Sequence, residues 1–141
     1  MANEAVLLIE TELPIPFTVA DGTGIEKGAV LKLADPNTVS AAAADEDVVG
    51  GIAAAEKIAD DGDVNIAIYR GGIFKVTASG SITAGDALAI DGRTDNLIYS
   101  ATGLQSISAS GSRIIGTSLE TATDLQTFKM ELRPQVAVQV A

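Results

Sequence analysis

The sequence predicts an all-β fold: a compact β-sandwich or β-clip-like domain preceded by an extended N-terminal arm. Three observations carry that prediction. Short apolar runs alternate with Gly, Pro, Asn and Asp at brief intervals, the spacing of small β sandwiches and barrels. No Ala-rich stretch is long enough to stand as an isolated helix. Finally, two stretches open a strand the same way, Ile25-Glu26-Lys27-Gly28-Ala29-Val30-Leu31-Lys32-Leu33 and Ile82-Thr83-Ala84-Gly85-Asp86-Ala87-Leu88-Ala89-Ile90. Each has an Ile, a Gly three residues on, and then apolar positions spaced by two. Gly28 and Gly85 can take the left-handed conformation that most residues avoid, so they are expected to shape equivalent turns. The alternation after them puts Leu31 with Leu33, and Leu88 with Ile90, on one face of a strand.

Residues 1–20 read as the arm and 21–141 as a single β domain. In the arm, apolar residues 5–9 are followed by Glu10 and Glu12, and Pro14 and Pro16 bracket Ile15 before Phe17. Two prolines at alternate positions fix two φ angles and delete two donors, so the segment is extended and excluded from a sheet interior. Two readings stand: an edge strand of the same domain, or an arm laid on another chain.

The domain's strands follow in order. Residues 29–34 end at the turn Asp35-Pro36-Asn37, and 38–43 resume an extended course. Asp45-Glu46-Asp47 is a solvated loop before Val48-Val49-Gly50-Gly51-Ile52. After Asp60-Asp61-Gly62-Asp63, Val64, Ile66 and Ile68 alternate with polar or small residues. Gly71-Gly72 is a hairpin signal, with residues 73–77 as the return strand. The second unit, 82–90, turns at Asp91-Gly92 and continues at 97–99. Residues 113–118 resemble 48–53 in placing a Gly after two β-branched residues. Residues 127–132 and 136–140 are the last strands, separated by Pro134. Residues 41–44 and 53–59 are Ala-rich but short; 53–56 reads as strand continuation, and one short helix fits around 103–108.

Composition narrows the function. A chain of 141 residues, 47% apolar, can fill one core, yet its only aromatics are Phe17, Tyr69, Phe74, Tyr99 and Phe128. Small side chains make a thin core, which burying further surface between copies would reinforce. The balance of 9 basic against 19 acidic residues, a net charge of −10, disfavours a basic groove for nucleic acid. No stretch reaches the length of a membrane span, and the apolar run 5–9 is too short for a signal-peptide core.

Residue types needed for chemistry are scarce. With no His and no Cys, the usual general bases, thiolates and zinc ligands are missing. Gly22-Thr23-Gly24 through Gly28 lacks the spacing and following helix of a dinucleotide loop, and reads as a turn. The carboxylates Asp60, Asp61 and Asp63, and Asp91 with Asp95 beside Asn96, lack the ligand order and terminal Glu of a calcium loop. Asp and Asn are ordinary turn closers, so no metal or cofactor site is expected. Ile68-Tyr69-Arg70-Gly71-Gly72-Ile73 is similar to the Tyr-Arg-Gly strand motif of trimeric dUTP pyrophosphatases. However, Ile66 and Ile68 stand where that family has acidic residues, and Arg70-Gly71 is read as closing a hairpin.

The succession of features has a better match. Pro-x-Pro-Phe, then 20–28 leading into Val30-Leu31-Lys32-Leu33, then Val49-Gly50-Gly51-Ile52-Ala53, Gly71-Gly72-Ile73-Phe74-Lys75-Val76 and Ile82-Thr83-Ala84-Gly85-Asp86-Ala87-Leu88, resembles the head decoration, or capsid cement, proteins of tailed phages. The resemblance implies a virion protein on the outer surface of an icosahedral head. It implies a homotrimer that binds the major capsid protein and stabilises the shell, with no cofactor, no enzymatic activity, and no direct contact with nucleic acid or membrane. On that reading, Leu7, Ile9, Ile15 and Phe17 are the arm's contacts with the capsid. The alternative is a ligand- or carbohydrate-binding β module on a virion or cell surface.

Overall fold

The computed structural model describes residues 3–34, 37–43, 47–91, 96–101 and 112–136. Expectations for Asp35, Pro36, Asp45, Glu46, Asp95, the short helix at 103–108 and residues 137–140 fall outside them. The described residues form eleven strands and no α-helix: β1 (Val6–Ile9), β2 (Ile15–Thr18), β3 (Val30–Leu33), β4 (Val39–Ala41), β5 (Val49–Ala53), β6 (Asn65–Tyr69), β7 (Gly72–Ala78), β8 (Ala87–Asp91), β9 (Leu97–Ser100), β10 (Ser112–Ser118) and β11 (Thr127–Val136). The all-β class follows from period-two patterning, as in β6, where Ile66 and Ile68 are buried between more exposed neighbours.

Two sheets share one topology. The first runs β2-β6-β5-β3-β4, and a parallel bridge between Thr18 and Thr38 brings its two ends together. The second runs β1-β7-β11-β10-β8-β9, and a parallel pairing of β7 with β9 closes its last five strands into a small barrel. Every pairing in residues 15–69 therefore has a counterpart in 72–136, with β2 to β6 standing for β7 to β11. β1 is the addition, lying antiparallel on the edge of β7.

The turn units repeat more often than the two glycines suggest. Ile25 bridges Lys57 in the first half, and Ile82 bridges Ala122 in the second. Three residues past each of these four comes a left-handed residue: Gly28 (φ 88°), Asp60 (φ 60°), Gly85 (φ 94°) and Leu125 (φ 64°). Its N–H donates to the carbonyl four residues before the bridging partner: Gly28 to Ala53 (2.9 Å), Asp60 to Asp21 (2.7 Å), Gly85 to Ser118 (2.8 Å) and Leu125 to Ala78 (2.9 Å). Each half thus contains one unit and its near-twofold mate. A second equivalence lies at Gly51 and Gly116, where an added Cβ would run into the carbonyl oxygens of Tyr69 and Glu131 on the neighbouring strand.

Two cores result. Ile25, Leu31, Val39, Ala53, Ile66 and Ile68 fill the first half. Phe74, Leu88, Ile98, Ile115, Phe128 and Met130 fill the second, joined by Val30, Val49 and Ile52 from the first. β5 is consequently buried along its whole length, one face in each core, which is why its sequence shows no polar alternation.

Two expectations are corrected. Gly71-Gly72 does not close a hairpin, because β6 and β7 lie in different sheets. Both edges of β6 are already taken, by β2 and β5, so the chain must cross to the second half at this point. Pro134 does not separate two strands either; β11 runs through it to Val136. β7 ends opposite Leu132, so Pro134 has a neighbour on the β10 side only, and bulges in β10 absorb the irregularity.

Candidate functional site

Residues 6–18 strap the two halves together. β1 adds to β7 in the second sheet and β2 adds to β6 in the first, so the strap spans the crossing at Arg70-Gly71. Its middle packs onto that crossing. The Glu12 carboxylate lies so close to Gly71 that a Cβ there would come within 2.7 Å of it. The Tyr69 hydroxyl donates to Glu10 Oε2 at 3.1 Å, and its ring meets Phe74 edge-on at 5.6 Å. Burial pushes the Tyr69 hydroxyl up from its ordinary pKa, and the neighbouring Glu10 adds to that.

The strand register decides which arm residues face out. Leu7 pairs with Phe74 and packs against the second core, and Phe17 pairs with Ile66 and packs against the first. Ile9 and Ile15, in contrast, are 59% and 42% exposed. The four expected contact residues are therefore divided, two inside and two outside. Val6, Leu8 and Leu13, which the sequence reading did not select, are exposed at 52%, 43% and 77%. Strict alternation would have paired Val6 with Leu8 on the outer face. Ile9 joins them because a bulge shifts the register between Leu7 and Ile9.

The acidic turn after β5 is organised around Lys57. That side chain is buried, at a place where the other units carry Ile or Ala. Its ammonium donates to Asp61 Oδ1 (2.6 Å), the Ile58 carbonyl (2.6 Å), Asp21 Oδ1 (2.9 Å) and the Asp21 carbonyl (3.2 Å). Burial alone would lower the Lys57 pKa, but the carboxylates of Asp61 and Asp21 more than reverse it. Lys57 in turn holds the Asp61 carboxyl below its usual range, helped by the Asp63 N–H. Asp21 and Asp61 thus serve as ligands of an internal ammonium. Gly62 and Asp63 donate their N–H groups to the same two carboxylates.

A strap of exposed apolar side chains on two sheet edges is suited to contact rather than to reaction, since large apolar groups gain free energy by leaving water. Comparison with known proteins supplies the family. The phage cement protein family matches residues 9–134. The chain belongs to that family. Membership makes this cement protein a phage structural protein, a virion component attached to the capsid exterior. Among solved structures, it is similar to the head fiber gp8.5 N base of bacteriophage phi29, with a TM-score of 0.53 and 18% identity over 89% of this chain and 99% of that one. At that identity the likeness concerns the fold. No curated protein matches the sequence.

Proposed function

We propose that this cement protein binds the outer surface of an icosahedral head as a homotrimer, contacts the major capsid protein, and stabilises the shell without enzymatic activity. The observation that carries the reading is the exposure of Ile9, Leu13 and Ile15 along a strap fixed to both sheets. A rigid apolar ridge loses little conformational entropy on docking. A trimer engaging several shell subunits at once would gain further by multivalency and so resist their separation.

The test replaces Ile9, Leu13 and Ile15 together by Asp and leaves the inward Leu7 and Phe17 in place. Co-sedimentation with expanded, undecorated heads is expected to fall at least about tenfold, and the heat resistance that the wild type confers on heads is expected to vanish. Binding equal to wild type by a folded triple variant would refute the assignment of this ridge.

A further inference from the structure

The register of the second sheet lines up four outward residues in one cross-strand row. Val6 pairs with Lys75, and Lys75 pairs with Lys129. Leu119 donates its N–H to the Lys129 carbonyl at 2.9 Å and so continues the row beyond β10. Their neighbours along the strands, Phe74, Val76, Phe128 and Met130, are buried, which fixes both lysines on the outer face. The row reads apolar, basic, basic, apolar, with Val6 52% and Leu119 46% exposed.

Two like charges placed directly opposite each other destabilise a strand pair. The Glu120 carboxylate accepts the Lys129 backbone N–H at 2.8 Å, but among the described residues neither lysine's ammonium forms an ion pair. A counter-charge from outside would turn this cost into attraction. The same chain carries the complement in its first half. Around the Lys57 turn, Ile58 (63%) and Val64 (49%) are exposed among Glu56, Asp60 and Asp63, whose charges Lys57 does not engage. Lys57, Asp21 and Asp61 hold that turn rigid from beneath.

We infer that the Val6–Lys75–Lys129–Leu119 row is the docking face for a second copy of this chain, which presents its Glu56–Val64 turn. Lysines meet carboxylates, and Val6 and Leu119 meet Ile58 and Val64. The contact joins two different surfaces, one from each half of the chain, so it is heterologous and excludes a twofold dimer; a threefold rotation closes it into the trimer of the proposed function. This deepens the trimer in the proposed function and rests on it.

Charge reversal tests the inference in the full chain. Lys75→Glu with Lys129→Glu keeps one like-charged pair in place of another, so the fold should tolerate it, and melting curves check that. Sedimentation equilibrium is expected to show the dissociation constant of the assembly rising at least about tenfold. Glu56→Lys with Asp60→Lys, two side chains that make no hydrogen bond among the described residues, should weaken it similarly, with melting curves checking that the turn tolerates Lys at the φ of 60°. All four changes in one chain should restore association. The wild-type assembly should also loosen between 0.05 and 0.5 M salt, as about a threefold shorter screening length requires.

The inference is overturned if the lysine variant assembles like wild type, or if the fourfold variant stays dissociated. It is likewise overturned if the wild type is monomeric yet binds heads, with the lysines needed for that binding; the row would then face the shell and the cement function would stand. A wild-type chain that assembles as inferred but ignores heads would instead refute the proposed function.

Discussion

Lys57 bridges Ile25 in the first half where Ala122 bridges Ile82 in the second. One fold position thus holds a buried ammonium with four oxygen partners in one copy and a methyl group in the other. The aliphatic solution suffices for the turn unit, so the charged one is a local addition with its own pH dependence.

Lys57→Met should lower the melting temperature at neutral pH, because the Ile58 carbonyl loses the ammonium as donor and the Asp21 and Asp61 carboxylates lose their counter-charge. The pH profile should change as well. Asp61 has a depressed folded pKa, so its contribution exists above the unfolded carboxylate value and disappears as pH falls through the folded one. Lys57 has a raised folded pKa, so its contribution is complete below 10.5 and is lost as pH climbs through the folded value. Urea midpoints between pH 2 and 11 should show a plateau with both shoulders for wild type. Lys57→Met should have a shallower acid shoulder; an unchanged one would sever Asp61 from Lys57.

Leu125→Gly should stabilise the protein. Leu125 is 63% exposed at φ 64°, so little burial offsets its left-handed backbone. That conformation costs roughly 1–2 kcal/mol for an L residue, and the added freedom of Gly when unfolded returns part of the gain. A net increase of about 0.5–1 kcal/mol in denaturant unfolding is expected. Gly85→Ala, with open space around the new methyl group, should lose about 1 kcal/mol through φ alone.

Gly116→Ala belongs to another magnitude class. The methyl group would overlap the Glu131 carbonyl, and strand backbone, unlike a side-chain tip, cannot swing aside. A loss above about 3 kcal/mol is expected, and Gly51→Ala should match it against the Tyr69 carbonyl. Similar mild losses at both would mean that the paired strands separate easily.

Asn96→Gly removes a link between the halves. Asn96 Oδ1 accepts the Val30 N–H at 3.0 Å across 66 residues of sequence, and glycine tolerates the φ of 59°. Removing the acceptor leaves the N–H of a buried residue unsatisfied, which should cost about 1–2 kcal/mol. Amide exchange at Val30 should accelerate accordingly.

Local patterns in the sequence disclose the strand class, because Ile66 and Ile68, or Phe74 and Val76, alternate visibly. Pro16 restricts its strand to an edge by lacking a donor, and β2 lies at one. Long-range pairing left weaker traces. Gly71-Gly72 announces a sharp change of direction, but nothing local says that β6 is already paired on both edges. The turn units at Lys57–Asp60 and Ala122–Leu125 escaped notice because Asp and Leu stand where the other two have Gly. In the strap, one bulged residue changes which side chains face solvent, and no residue type marks it.

The strap also has a consequence in time. β1 is translated well before its partner β7, which ends at Ala78. At 5–20 residues per second, Ile9 leads Ala78 by roughly 3–14 s, during which an apolar strand has no edge to join. β2 is relieved sooner, once β6 has been made. Newly made chains crowded on one messenger therefore present β1 to each other before each can present it to itself. The yield of soluble protein should respond to growth temperature and synthesis rate more than to the stability of the finished fold.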